Sequence, residues 1–205
     1  MTMITDFILF VLACGFTYKL YSFKDKRLAD YWMSAFVFLG LSALLGGLHH
    51  GLANIWSFTF HQASWRLTLY GVGAASLFLA IATTELLPIR FRSTLRVLLF
   101  IKFAIYIWVT SAHPQFFVVI VDYFPVLLFL LATSMVRYFQ TKERGDKFLI
   151  FGVLLSFLGA AVQVLKIAPS SIFNHNDLYH CIQMVALYFW FVGASDLCNP
   201  TSPAA

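Results

Sequence analysis

The residues best suited to chemistry crowd into one stretch, Phe173-Asn174-His175-Asn176-Asp177-Leu178-Tyr179-His180, at the start of an otherwise apolar segment. Ionisable groups at the edge of a hydrocarbon layer are costly, so a cluster of them marks a candidate functional site. Four further histidines follow other apolar segments: His49, His50, His61 and His113. Imidazoles are the usual ligands of zinc and also suit iron or copper, which makes His49, His50, His175 and His180 the candidate metal set. Three of them would hold a zinc and leave a position open for water, which the metal would acidify while polarising a carbonyl. Asp177 or Asp122 would then act as general base, or orient an imidazole N–H as a carboxylate partner. The cofactor expected on this reading is zinc. Haem is the alternative, with His50 and His180 as axial ligands.

Helical spacing gives these groups neighbours. Asn176, His180 and Gln183 follow an i, i+4, i+7 pattern and share one face, with Asp177 on the adjoining stripe. Gly159, Gln163 and Lys166 line one stripe of the preceding segment, and Ser42, Gly46 and His49 line another near the second. Asn176, Gln183, Gln163 and Lys166 are therefore the candidate substrate-pocket residues. The glycines would let a partner helix or a ligand come close. His61 and His113 read as interfacial hydrogen-bonders. Glu85 and Lys102 read as a structural pair or as snorkelling groups, and Asp122 needs a partner, with Lys166 or a histidine the obvious candidates.

The elements that carry these residues follow from composition. Of 205 residues, 60% are hydrophobic and only 11% charged, against roughly 25% charged in a soluble domain. The chain therefore reads as an all-α integral membrane protein, a seven-transmembrane helix bundle. Spans are expected at about Ile4–Phe23, Tyr31–Ala53, Arg66–Leu87, up to Ala112, Phe116–Phe139, up to Ile167, and Asn176–Ser195. A kink is expected at Pro125. Residues 1–198 form one transmembrane domain, and residues 199–205 a short disordered tail. Met1-Thr2-Met3-Ile4-Thr5-Asp6 matches the start of bacterial β-galactosidase, a common vector-derived leader, and carries no weight in this reading. Cys14, Cys181 and Cys198 suggest no disulfide framework, and the first two read as packing residues.

The net charge of +5 calls for no nucleic-acid partner. Basic residues fall in the first, third and fifth loops (Lys24, Lys26, Arg27; Arg90, Arg92, Arg96; Lys142, Arg144, Lys147), whereas the even loops offer Arg66 and Lys166 at span ends. The positive-inside rule then sets the N-terminus outside and the C-terminus cytoplasmic. All six histidines fall on the outer side. Compact loops suggest a bacterial inner membrane.

The helix count, this topology, a histidine closing helix two (His50 or His49) and His180 on helix seven resemble the ceramidase and adiponectin-receptor superfamily of seven-helix membrane hydrolases. The run Phe173 to Gln183 is also similar to a group of uncharacterised bacterial membrane proteins distantly allied to it. The resemblance implies zinc held by three histidines and hydrolysis of a lipid amide. This chain departs from the superfamily's pattern: Gly46 stands where a serine precedes the helix-two histidine, Asn176 stands four before His180, and helix three has no outer aspartate. The function expected is a metal-dependent intramembrane hydrolase of a lipid or amphiphile, with membrane lipid as its partner. The alternatives are a haem-bearing electron-transfer protein and a non-catalytic binding or transport protein. No internal repeat or Gly/Pro-broken helix pair favours a transporter, and helix seven has no lysine for a retinal Schiff base.

Overall fold

In hydrocarbon a spanning segment must pair every backbone N–H and C=O within itself, which an α-helix does. The computed structural model, which describes residues 1–24 and 26–199, has seven such helices long and apolar enough to cross a membrane. They are α1 (Thr2–Leu20), α2 (Arg27–Gly51), α3 (Phe58–Glu85), α4 (Ile89–Ala112), α5 (Phe116–Thr141), α6 (Arg144–Leu165) and α7 (His175–Cys198). At 1.5 Å per residue, even the shortest spans about 30 Å, the thickness of a bilayer core. This is compatible with an integral membrane protein. The anticipated tail lies outside the described residues apart from Asn199.

Short connections make consecutive helices run up and down, so one end of the bundle gathers the N-termini of α1, α3, α5 and α7. All six histidines lie toward that end. The helix boundaries are set locally. Ser57 caps α3, its hydroxyl accepting from the Phe60 N–H, so α3 begins at Phe58 rather than near Arg66. His61 and Trp65, expected in a connector, therefore stand on a helix. Helix α6 likewise starts at Arg144, inside the segment expected to be a polar loop. Asn174 caps α7 in a capping box, its side chain accepting from Asn176 N and Asp177 N while Asp177 accepts from Asn174 N. Helix α5 runs on through Pro125.

The centre of the bundle is α3: 72% of its apolar window is buried, against 11% for α4 at the periphery. Helices α1, α2 and α7 close around a core of Leu9, Phe16, Trp32, Phe36, Leu187 and Trp190. Phe16 stacks on Phe191 with ring centroids 4.8 Å apart, a contact worth about 1 kcal/mol beyond burial. Such packing, rather than expulsion of water, drives association between spanning helices. Cys14 is exposed, Cys181 half-buried and Cys198 buried, and all are free.

Candidate functional site

Helix α1 packs against α7 and brings an acidic residue to the polar doorstep of α7. Asp6 is only 5% exposed, Asp177 is 0% and His180 9%. Thr5 Oγ1 lies 2.8 Å from His180 Nδ1, and His180 Nε2 lies 3.4 Å from Asp6 Oδ1. The same hydroxyl is 2.9 Å from the Thr2 carbonyl and 3.3 Å from Asp177 Oδ1. A hydroxyl has one proton to give, so the protonation of His180 decides which acceptor receives it. Thr5, His180 and the two carboxylates thus form one network in which a proton added or removed is felt by every member. His50, exposed at the end of α2, stands outside the network, with its ring 5.4 Å from that of His49 and 6.2 Å from that of Trp65.

Asp6 and His180 face a cleft of about 130 Å³, lined by every helix except α4. Ser42 (α2), Thr68 (α3), Tyr123 (α5), Ser156 and Gln163 (α6), and Tyr179 and Gln183 (α7) supply its other polar groups. Between Tyr179 and Trp190 it extends about 16 Å along α7, and the polar groups thin out with depth. Leu9, Leu39, Leu127, Phe157 and Trp190 line the rest. Two glycines shape the polar end. A Cβ on Gly46 would stand 3.6 and 3.7 Å from the two Asp6 carboxylate oxygens, at ordinary contact distance. A Cβ on Gly159 would stand 2.8 Å from Gln183 Nε2.

The sequence-predicted residues divide. His180, Gln163 and Gln183 line the cleft. Asn176 stands behind it and accepts from Gln163 Nε2 at 2.8 Å, while Gln183 Oε1 accepts from Ser156 Oγ at 3.4 Å. Asp177 is buried beneath, divided between the helix cap and Thr5. His49 belongs to a neighbouring aromatic cluster: its ring stacks on His61 at 3.8 Å, lies 5.0 Å from Trp65, and its Nδ1 is 3.1 Å from Ser64 Oγ. His175 opens α7, half-buried. Lys166 forms the left-handed C-cap of α6 and is exposed (φ 52°). None of these last three lines the cleft.

Asp122 is paired, though not as expected. Lys102 Nζ donates to Asp122 Oδ1 at 2.6 Å, with Ser76 Oγ 3.4 Å from the ammonium. Lys102 lies about one turn deeper than Asp122, a gap its long side chain spans. Neither Lys166 nor a histidine is the partner, and the anticipated Glu85–Lys102 pair does not form. Glu85 instead accepts from Arg92 and Arg96. Sequence reasoning missed Asp6, Thr5, Thr68 and Ser156. The signal for Asp6 was present, since it is a carboxylate inside an apolar span.

Among the described residues no three His, Cys, Asp or Glu side chains are grouped to hold a metal ion. Both ring nitrogens of His180 face protein groups, Thr5 and Asp6.

The chain belongs to a family of unknown function, DUF6962, whose model matches residues 1–199. The match takes in Met1–Asp6, so the segment carrying Asp6 lies within the family's pattern. No curated protein and no solved structure matches the chain.

Proposed function

We propose that this protein is an intramembrane enzyme that binds a lipid or other amphiphile in the cleft and hydrolyses an ester or amide near its polar end. One observation carries the reading: a buried imidazole, held between a hydroxyl and a carboxylate, stands at the polar end of an otherwise apolar cleft. The apolar depth suits a hydrocarbon chain, and a few convergent polar groups at one end suit its head. His180 is the proton-transferring residue. As general base it takes a proton at Nε2, whose contact to Asp6 is a loose 3.4 Å, from a water molecule attacking the carbonyl, and it then returns that proton to the departing oxygen or nitrogen. Asp6, beside Nε2, stabilises the imidazolium formed between the two steps, and Thr5 fixes the ring through Nδ1. Asp177 is a positioning residue that acts through Thr5 and the α7 cap.

The resemblance to the ceramidase and adiponectin-receptor superfamily supports the same reaction class. Helix α3 lacks the aspartate of that pattern, and here α1 supplies the carboxylate instead. The zinc reading rests on that resemblance and on the imidazoles gathered toward one end of the bundle, and the proton transfer at His180 does not require it. Stoichiometric zinc in purified protein, lost in both His50→Ala and His180→Ala, would reinstate it. The basic loops gather at the end opposite the histidines, which supports a cleft opening toward the outer leaflet with the C-terminus cytoplasmic. The compact loops fit a bacterial inner membrane.

The test is turnover. Purified protein incubated with a panel of long-chain esters and amides should release product, and His180→Ala should lower the rate by at least about 100-fold. Equal rates in the two proteins would remove the enzymatic reading.

A further inference from the structure

The polar end of the cleft is chemically one-sided. Asp6 Oδ2 is buried and has no protein partner, and so is Gln163 Oε1. Both residues line the cleft. Of the buried lining atoms left without a partner, the donor, Trp190 Nε1, lies at the apolar end, about 16 Å away along α7. Those at the polar end are both acceptors. A buried acceptor left unmatched is costly, more so for a charged group, and a ligand that satisfies it recovers that cost. The electrostatics point the same way: the lining contains a carboxylate and no lysine or arginine, with Asp177 directly behind.

We infer that the cleft selects amphiphiles whose head is a primary ammonium, bound by Asp6 through a charge-assisted hydrogen bond, with Gln163 Oε1 as second acceptor. This deepens the reading of the cleft as an amphiphile site and rests on it. An ammonium has three donors and no acceptor, which answers two orphaned acceptors without creating a new unmatched group. A carboxylate or phosphate head would bring negative charge to two carboxylates with no cation among the lining groups. A quaternary ammonium has the charge but no N–H, and an alcohol has the N–H's counterpart but no charge.

The experiment compares four ligands with one twelve-carbon chain: dodecylamine, dodecyltrimethylammonium, dodecanol and dodecanoate. Each is titrated against the full chain in a neutral maltoside detergent, and native mass spectrometry reads the bound fraction. Wild type should bind dodecylamine at least about tenfold more tightly than dodecyltrimethylammonium or dodecanoate, with dodecanol between. In Asp6→Asn the four affinities should converge to within about threefold. Dodecanoate or dodecyltrimethylammonium equalling the amine in wild type would overturn the head-group assignment while leaving an amphiphile cleft in place. An undiminished amine preference in Asp6→Asn would also overturn it. Should Asp6→Asn fail to fold, the wild-type ranking still decides the matter. Absence of binding by all four would remove the amphiphile cleft as well.

Discussion

Glu85 and Asp6 sit at opposite ends of the bundle, and each carboxylate side chain is 7% exposed. Glu85 receives Arg92 Nη1 on one oxygen at 2.5 Å and Arg96 on the other, while Arg92 also caps the carbonyls of Glu85 and Leu87. Its turn between α3 and α4 is thereby pinned, and both carboxylate oxygens are engaged by the protein. Asp6, which lines the cleft, has one oxygen at 3.4 Å from an imidazole and the other buried without a protein partner. Equal burial therefore marks two different roles. A buried charge whose partners are all supplied by the protein holds structure, and one whose partners are incomplete is open to a ligand.

Substitutions at the two carboxylates should separate these roles. The largest effect belongs to Asp6→Asn, which should lower turnover by at least about 100-fold, because the imidazolium loses its counter-charge. Its unfolding free energy should stay within about 1 kcal/mol of wild type, since the orphaned oxygen contributes nothing to the fold. Glu85→Ala should do the reverse. It should destabilise by about 2 kcal/mol, the buried-pair figure discounted because its arginines are a quarter exposed. Product release per folded molecule should be unchanged. Chemical denaturation monitored alongside the turnover assay checks both, and equal stability losses at the two sites would collapse the distinction.

The Lys102–Asp122 pair extends the contrast to the middle of the bundle. Lys102→Met and Asp122→Leu should each destabilise by about 1–2 kcal/mol, whereas the double variant should lie closer to wild type than either. A thermal-melt double-mutant cycle measures this, and additive losses would show the pair to be uncoupled. The smallest effect is expected at Gly159→Ala, whose new Cβ displaces Gln183 Nε2. Ligand affinity should fall by about three- to tenfold with little change in melting temperature. Equal affinity would place Gln183 outside the contact.

The seven helices were legible because each segment is apolar enough, for long enough, to announce itself. Their ends were less so: Thr59, His61, Gln62 and Ser64 made the first turns of α3 look like a connector until Ser57 capped them. The cleft was half legible. His180, Gln183 and Gln163 follow from helical spacing alone, since a period of 3.6 places them on inward faces. Asp6 does not, because its meaning depends on α1 packing against α7, a contact between the two ends of the chain that no local pattern encodes. Its resemblance to a vector leader then removed it from view. The partner of Asp122 was misread for a related reason. A lysine reaches about a turn along its neighbour, so depth in the sequence does not fix depth of the charge.

The claim on which the account rests is that an amphiphile lies in the cleft with its head at Asp6 and His180. Photolabelling tests it most directly, using a long-chain amine that carries a diazirine beside the nitrogen and mapping the adducts by peptide mass spectrometry. The account places the adducts on Asp6 and on the segment Tyr179 to Gln183, with labelling reduced by excess dodecylamine. Adducts confined to exposed lipid-facing residues such as Trp108, Phe139 and Leu165, and insensitive to that competitor, would contradict it.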